Sequence, residues 1–204
     1  MNNDWLELEG KTVIVTGAAS GIGKAVAQEF LNIGANVVIS DMAENAPEMD
    51  AKEGQLLYVR TDVTKVSDVE AMVAKTIETF GTIDVLVNNA GINLPRLLVD
   101  VVGERPEYEL DDAVFNKMFA VNVKGVFFCT QACAKQMVKQ KKGVIVNMSS
   151  ESGKEGSQGQ SAYSATKGAV DSFTRSWAKE LGKYNIRVLA CAPGIMEATG
   201  LRTP

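Results

Sequence analysis

The chain contains a short apolar segment that runs directly into a glycine-rich turn and a helical pattern. Residues Lys11 to Thr16 (KTVIVT) are β-branched and apolar without alternation, which predicts a strand buried on both faces of a parallel sheet. GAASGIG, residues 17–23, follows, and KAVAQEFLNIG has the pattern of a helix ending at Gly34. A strand, a glycine turn and a helix N-terminus in this order direct backbone N–H groups at an anion. The segment therefore predicts a diphosphate site.

An acidic residue ends the next predicted strand, NVVISD. Asp41 lies ~24 residues past Gly17, where a carboxylate can accept hydrogen bonds from an adenosine ribose. Its charge would repel a 2′-phosphate, and Ser20 in the turn brings no compensating cation. These residues favour NAD over NADP. The alternative is that Asp41 only caps a loop.

Strand and helix patterns alternate through the rest of the sequence. The third, fourth and fifth strands are predicted in QLLYVRTDV, IDVLV (residues 83–87) and KKGVIVNMSS, and the sixth at residues 186–191. The later helices are predicted at Asp68 to Gly81, about Asp112 to Lys139, and from about Ala162 to Lys183, with a loop from Ile92 to Asp111. This alternation predicts an α/β fold, a Rossmann-like doubly wound parallel sheet with helices on both faces, formed by residues 1–204 as one domain.

A serine, a tyrosine and a lysine follow the fifth strand in SSESGKEGSQGQSAYSATKGA. If Ser161 caps a helix, Tyr163 and Lys167 are an i, i+4 pair on one face. A nearby ammonium lowers a phenol pKa from its usual value of about 10. The three residues predict a proton-transfer tyrosine tuned by Lys167, with Ser150 available to hold the reacting oxygen. The alternative is a surface helix that contains Y-x-x-x-K without chemistry.

Composition excludes several kinds of function. The sequence has no histidine, so a Ser-His-Asp mechanism is impossible, and its three cysteines lack zinc-site spacing, so no metal site is predicted. The net charge of −4 favours neither nucleic acid nor an anionic membrane. No apolar run is long enough to span a bilayer, and the start, MNNDWLELEG, lacks a secretion signal. We expect a cytoplasmic protein.

Taken together, the ordered motifs resemble those of the short-chain dehydrogenases/reductases. The resemblance rests on TGAASGIG, Asp41, NNAG (residues 88–91), Asn122, Ser150, Tyr163 with Lys167, and the dipeptide at Pro193, and it extends from near Lys11 to the end of the chain. Each motif alone is modest evidence, whereas the ordered set is specific.

The resemblance implies a role for each matching residue. Tyr163 would be the general acid/base, Lys167 would lower its pKa and bind the nicotinamide ribose, Ser150 would hold the substrate oxygen, and Asn122 would position a water. The remaining cofactor contacts would come from Gly17, Ser20, Gly21, Ile22, Gly23, Asp41, Asp62, Val63, Asn89, Ala90, Gly91, Pro193, Ile195 and Met196.

Three variable stretches bear on the substrate: GINLPRLLVD, ESGKEGSQGQ and CAPGIMEATGLRTP. They resemble those of family members that interconvert a sugar-alcohol phosphate and a ketose phosphate with NAD. Candidate substrate residues are Arg96, Glu151, Ser152, Lys154 and Arg202, of which the three basic ones are candidates for the phosphate. The alternative for these basic residues is that they are solvated surface charges. The alternatives for the function are a 3-oxoacyl or other carbonyl reductase, and an NAD-binding sensor without turnover.

The resemblance also implies that the protein forms oligomers and that further secondary structure follows the sixth strand. Family members form homotetramers or homodimers, and the apolar residues Phe127, Phe128, Met137, Phe173 and Trp177 exceed what one helix face needs. The family also has a helix pair and a seventh strand after the sixth. Because this sequence ends at Pro204, we expect it to be a fragment.

Overall fold

A computed structural model describes residues 6–196 of the 204-residue chain. It contains one sheet of six strands, and every pair of neighbours is parallel, in the order β3-β2-β1-β4-β5-β6. The strands are β1 (Thr12–Thr16), β2 (Asn36–Asp41), β3 (Leu56–Arg60), β4 (Val85–Asn88), β5 (Gly143–Met148) and β6 (Ile186–Cys191). The predicted doubly wound parallel sheet is confirmed.

Helices cover both faces of this sheet. They are α1 (Gly21–Asn32), α2 (Val66–Phe80), α3 (Asp112–Phe119), α4 (Val126–Gln140), α5 (Ser152–Glu155) and α6 (Ser161–Leu181). On one face α1 buries Ala27 and Leu31 against the apolar residues of β1 and β2. On the other face α2, α4 and α6 pack on a core that includes Ile14, Leu86 and Ile145. Cys129 and Cys133 lie in that second core as free, buried thiols.

The order of the strands creates a crevice beside β1. From β1 the chain builds outward through β2 and β3, and then returns to add β4, β5 and β6 on the other side. The helices that follow β1 and β4 therefore diverge, which leaves a crevice at the carboxyl ends of these two strands. Val15 of β1 pairs with Val87 of β4, so the turn after Thr16 lies beside Asn89.

Three local predictions need correction. The helix that carries Tyr163 starts at Ser161, and the residue preceding its first turn is Gln160, not the predicted Ser161 cap. The long helix from about Asp112 is interrupted by a π-helical turn at Ala120–Gly125. The predicted loop from Ile92 to Asp111 contains a short 3₁₀ turn at Pro106–Tyr108 and two isolated β-bridges. The π-helical turn and the bridge between Arg96 and Gln160 depend on contacts between segments distant in sequence, which local patterns do not contain.

Candidate active site

The glycine turn after β1 has the geometry of a dinucleotide cradle. Gly17 and Gly21 adopt φ values of +64° and +54°, which side chains with a Cβ rarely adopt. A Cβ at Gly17 would lie 2.7 Å from Cα of Ala90, and one at Gly23 would lie 2.3 Å from the carbonyl oxygen of Gly17. A Cβ at Gly21 would meet open space, so an approaching ligand can reach the backbone there. Since α1 also carries no acidic residue in its first turn, its N-terminus fits a diphosphate.

The NNAG segment after β4 holds this turn in place. Asn89 donates its side-chain amide to the carbonyl oxygens of Thr16 and Gly17, both at 2.9 Å. The hydroxyl of Thr16 accepts the backbone N–H groups of Asn89 and Ala90, both at 3.0 Å. The side chain of Asn89 thus fixes the cradle, while Asn89 and Gly91 also line the cavity described below.

Asp41 ends β2 directly beside the glycine turn. Its carboxylate accepts the backbone N–H of Ala19 at 2.9 Å and that of Ala43 at 3.1 Å. These bonds hold a half-buried negative charge next to the cradle. The alternative of a loop cap is therefore partly correct, because the carboxylate does organise its own loop, but its position next to Ala19 still suits a ribose.

The structure places Asp62 and Val63 after β3. The carboxylate of Asp62 accepts from the backbone and the hydroxyl of Thr64, and these hydrogen bonds hold its pKa below the usual value. Val63 is buried against Gly125, where an added Cβ would lie 2.7 Å from Cγ2 of Val63. Both residues have clear structural roles, and the two backbone positions border the π-helical turn.

Asn122 occupies that π-helical turn and is buried. Its side chain accepts from the backbone N–H of Ile92 at 2.8 Å and donates to the carbonyl oxygen of Ile92 at 2.8 Å and to Oγ1 of Thr166 at 3.1 Å. Turns of π helix often mark functional sites. Because the side-chain amide is committed to protein partners, Asn122 joins the loop after β4 to the helix that carries Tyr163.

Lys167 is almost completely buried beneath Tyr163. Its Nζ donates to the carbonyl oxygen of Met148 at 2.7 Å and lies 5.6 Å from the centroid of the Tyr163 ring. Burial lowers the pKa of Lys167 to about 8, although the charge of Asp171 opposes this shift. An ammonium in this position is poised to lose its proton near neutral pH.

Tyr163 and Ser150 line the same cavity and are close enough for their hydroxyl groups to interact. Burial raises the pKa of Tyr163, and a hydrogen bond with Ser150 lowers it in part. The sequence predicted a pKa lowered by Lys167, and in this structure that prediction is wrong. The ammonium is directed at Met148, so desolvation of the phenol dominates.

These residues line one cavity of about 440 Å³. It brings Tyr163, Lys167 and Ser150 together with Ile22 of the glycine turn and with Pro193, Ile195 and Met196 after β6. Its other lining residues are Asn89, Gly91, Ile92, Asn93, Met148, Ser149, Glu151, Ser152, Ser157, Gln160 and Gly194. The lining is rich in hydroxyl and amide groups, which suits a hydroxylated substrate.

The predicted substrate residues divide into three groups. Glu151 and Ser152 line the cavity, and the hydroxyl of Ser152 lies 3.1 Å from that of Ser150. Arg96 and Lys154 do not line it, because Arg96 lies over the ring of Tyr108 and Lys154 is exposed on α5. Arg202 lies outside the described residues.

Comparison with known proteins gives the family. Residues 11–204 match the family model of the short chain dehydrogenases. The chain belongs to the short-chain dehydrogenase family. It is therefore an oxidoreductase that acts on a CH–OH group with NAD or NADP, and the resemblance seen in the sequence is confirmed.

Several curated short-chain dehydrogenases are similar to most of this chain. A sorbitol-6-phosphate 2-dehydrogenase of Klebsiella pneumoniae is 53% identical over 202 residues, covering 99% of this chain and 75% of that protein. A 3-oxoacyl-[acyl-carrier-protein] reductase of Thermotoga maritima is 44% identical, covering 94% of this chain and 76% of that protein. A diacetyl reductase of Staphylococcus epidermidis is 40% identical, covering 91% and 71%.

Sequence reasoning missed some contributors to the site. Asn93 lines the cavity from the loop after β4, which reaches the site only through the fold. Asp171 modulates Lys167, and its i, i+4 spacing from Lys167 on one helix is a signal that could have identified it. Among residues 6–196, no group of three or more acidic or cysteine side chains is arranged to hold a metal ion, and every helix is too short or too polar to cross a membrane.

Proposed function

We propose that this short-chain dehydrogenase oxidises sorbitol 6-phosphate at C2 to fructose 6-phosphate, with NAD as the cofactor, and catalyses the reverse reduction. The 53% identity to the sorbitol-6-phosphate 2-dehydrogenase of Klebsiella pneumoniae, across 99% of the chain, is the observation that carries the substrate. The hydroxyl- and amide-rich cavity around Tyr163 supports it, since a polyol chain needs many hydrogen-bonding partners.

The choice of NAD over NADP rests on Asp41. Its carboxylate is fixed beside Ala19 of the glycine turn at 2.9 Å, so a 2′-phosphate on the adenosine ribose would meet a negative charge at close range. Ribose hydroxyls would instead donate to that carboxylate. Gly17, Ser20, Gly21, Ile22 and Gly23 would surround the diphosphate, and the other cofactor contacts follow as predicted from the sequence.

In the proposed reaction the proton and the hydride are transferred to different groups. When bound, NAD would supply the acceptor of the hydride, and NADH its donor. In oxidation the phenolate form of Tyr163 would accept the proton of the substrate hydroxyl at Oη, while Ser150 holds the reacting oxygen. In reduction Tyr163 returns that proton.

Lys167 and Asn122 would support Tyr163 from the protein side. With a pKa of about 8, Lys167 can exchange its own proton near neutral pH and so restore the protonation state of Tyr163. Asn122 would act as a positioning residue, since its three hydrogen bonds fix Ile92 at the cavity wall and Thr166 on α6. Because the side-chain amide of Asn122 is already hydrogen-bonded within the protein, a water held by this residue would be bound through the backbone of Asn122.

A 3-oxoacyl reductase is the second candidate, because the Thermotoga maritima enzyme of that name is 44% identical. An acyl chain requires apolar walls, whereas seven of the cavity-lining residues are Ser, Asn or Gln. The buried Oδ1 of Asn93, which has no hydrogen-bond partner among the described residues, would stay unpaired beside an acyl chain, at a cost of roughly 1–3 kcal/mol.

A substrate and cofactor panel tests the proposal. Initial rates of NADH or NADPH formation are measured with sorbitol 6-phosphate, sorbitol and mannitol 1-phosphate, and rates of NADH or NADPH oxidation with fructose 6-phosphate and a 3-oxoacyl thioester. We expect the highest kcat/KM with sorbitol 6-phosphate and NAD. A preference for the thioester with NADPH would overturn both the substrate and the cofactor assignment, and cofactor binding without any turnover would indicate a sensor.

Assembly and location remain predictions. A homodimer or homotetramer is expected from the family, and a cytoplasmic location is proposed with it. Fractionation of the host cell followed by the sorbitol 6-phosphate assay would test the location.

A further inference from the structure

A loop on one rim of the cavity presents two arginines. We call residues 96–109 the rim loop. Its start is fixed to the loop before α6, because the backbone N–H of Arg96 donates to the carbonyl oxygen of Gly159 at 2.7 Å and Arg96 forms a β-bridge with Gln160. Its two ends are joined by hydrogen bonds from Leu97 to Tyr108 and from Leu110 to Leu97, both at 2.8 Å.

The two arginines lie against the same aromatic ring. The guanidinium carbon of Arg96 is 5.4 Å from the ring centroid of Tyr108, and that of Arg105 is 5.6 Å from it. Cation–π contacts of this kind hold a guanidinium in place while leaving its N–H groups available. Arg96 donates from one terminal nitrogen to the carbonyl oxygen of Pro95 at 2.8 Å, which leaves its other nitrogens for a ligand. Neither arginine forms an ion pair with any residue in the range 6–196.

Three acidic side chains of the same region accept hydrogen bonds from its backbone, while Glu104 and Glu107 are exposed on the loop. Asp100 accepts the N–H of Arg105 at 2.6 Å, Glu109 accepts the N–H of Asp100 at 2.6 Å, and Asp111 accepts that of Val114 at the start of α3. These carboxylates stabilise the loop. The guanidinium groups thus remain available for an anion that comes from outside the loop.

The rim loop lies beside the mouth of the cavity. Asn93 and Gln160 both line the cavity, and Arg96 follows Asn93 by one short turn of chain and pairs with Gln160. Arg96 pairs with Gln160, and paired strands lie about 4.8 Å apart. Gln160 and Tyr163 are in positions i and i+3, whose Cβ atoms lie about 5–6 Å apart in a helix. The backbone of Arg96 is therefore within roughly 10 Å of that of Tyr163. A long arginine side chain covers much of such a distance.

The charges inside the cavity favour a phosphate at this rim. Lys167 is the cationic residue among those lining the cavity, and its ammonium is already bound to Met148. Glu151, on another wall, would repel an anion. In sorbitol 6-phosphate the phosphate lies at the far end of the carbon chain from C2, so a C2 hydroxyl at Tyr163 directs the phosphate away from the reacting centre and towards the cavity mouth.

We propose that Arg96 and Arg105, each held against the ring of Tyr108, bind the phosphate of the substrate. This inference rests on the proposed function. It adds Arg105 and Tyr108 to the phosphate site for which the sequence offered Arg96 as a candidate. Guanidinium groups bind phosphate through paired, charge-assisted hydrogen bonds, and two of them match a dianion. Tyr108 pre-organises the pair.

The test compares KM for sorbitol 6-phosphate with KM for sorbitol in Arg96→Ala, Arg105→Ala and Tyr108→Leu. Arg175→Ala, on the exposed surface of α6, is the matched control for loss of one positive charge. Since a hydrogen bond to a charged group contributes about 1.5–3 kcal/mol, we expect KM for sorbitol 6-phosphate to rise at least tenfold more than KM for sorbitol in each arginine variant. Tyr108→Leu should give a smaller rise in the same direction. A ratio that stays within twofold of the Arg175→Ala control overturns the proposal.

Calorimetry separates this proposal from the proposed function. The wild-type protein and Arg96→Ala/Arg105→Ala are titrated with sorbitol 6-phosphate and with inorganic phosphate. Binding by the wild type that the double variant loses supports the arginine pair, even if the wild type fails to oxidise sorbitol 6-phosphate and the proposed function falls. Equal binding by both proteins, or no binding by the wild type, overturns the arginine pair.

Discussion

Tyr163 and Lys167 are both buried, and burial moves their pKa values in opposite directions. It raises the pKa of Tyr163 and lowers that of Lys167 to about 8, because in each case the charged form is disfavoured. The protein therefore holds both groups neutral more readily than water would. Such a pair can pass a proton in either direction with little charge to solvate, as a reversible dehydrogenase requires.

Burying Lys167 has a cost in stability that a variant can reveal. The pKa of Lys167 is about 8 in the folded protein and 10.5 is its ordinary value, so between these pH values the unfolded chain binds more protons and stability rises with pH. Lys167→Met removes the buried charge. We expect its free energy of unfolding at pH 7 to exceed that of the wild type by about 1–3 kcal/mol, with the gain shrinking as pH rises from 8 towards 10.5.

Denaturant unfolding at several pH values measures this difference. Lys179→Met, which changes an exposed lysine of the same helix, is the control and should show no comparable trend. A Lys167→Met protein less stable than the wild type at pH 7 would show that the hydrogen bond to Met148 outweighs the cost of desolvation.

Ser150 is expected to set the pH range of the reaction. Its hydrogen bond lowers the pKa of Tyr163, so Ser150→Ala should raise that pKa, and the rising limb of the pH profile for oxidation should move to higher pH. At a pH well below the pKa, raising the pKa by about 1 lowers the phenolate fraction about tenfold. The profile of kcat/KM is compared with that of Ser172→Ala, an exposed serine of α6. A lower rate with an unchanged profile would mean that Ser150 only holds the substrate.

Among the elements, the glycine turn and α1 meet at very close range. A Cβ at Gly23 would lie 2.3 Å from the carbonyl oxygen of Gly17 and 2.4 Å from Nδ2 of Asn89. Neither atom can retreat easily, because Asn89 is itself bonded to Thr16 and Gly17. The cradle for the cofactor and the packing of α1 on the sheet thus depend on the same glycine.

Gly23→Ala should therefore reduce both stability and NAD affinity. Overpacking of this kind costs roughly 1–3 kcal/mol, and the displaced turn should raise the Kd for NADH at least tenfold. The control is Gly182→Ala, after α6, where a Cβ meets nothing within 4 Å and φ is −56°. Thermal unfolding and fluorescence titration with NADH measure the two effects, and a Gly23→Ala protein that behaves like Gly182→Ala would show that the turn tolerates a Cβ.

The elements show which features the sequence could predict. The buried strands and the glycine turn depend on local residue types, so KTVIVT, GAASGIG and KAVAQEFLNIG predicted β1, its turn and α1 to within three residues. The π-helical turn at Asn122 depends on hydrogen bonds to Ile92 and Thr166, which are distant in sequence. The rim loop and its contact with Gln160 are likewise set by the fold.

Across the molecule, apolar side chains remain exposed in the rim loop, on the helices and at one sheet edge. Met137, predicted as surplus apolar surface, is fully buried, and Phe128 and Trp177 pack against the core. Phe127 is 38% exposed, and Leu189 on the edge strand β6 is 44% exposed. The expected oligomer therefore depends on fewer side chains than the sequence indicated.

Light scattering after size exclusion tests the assembly. We expect a dimer or tetramer, because apolar side chains such as Phe127 gain free energy when a second copy covers them. Phe127→Lys should shift the equilibrium towards monomers, whereas Lys135→Ala, an exposed change on the same helix, should not. A wild-type monomer would be evidence against this expectation.

Tyr163 is the residue on which the proposed dehydrogenase chemistry depends, because it transfers the substrate proton. The single-turnover rate of NADH formation from sorbitol 6-phosphate and NAD is measured in the wild type and in Tyr163→Phe. We expect turnover by the wild type and a rate lower by about 10²–10⁴-fold in the variant, with unchanged NADH affinity. A Tyr163→Phe protein that forms NADH at the wild-type rate would rule out Tyr163 as the proton-transfer group.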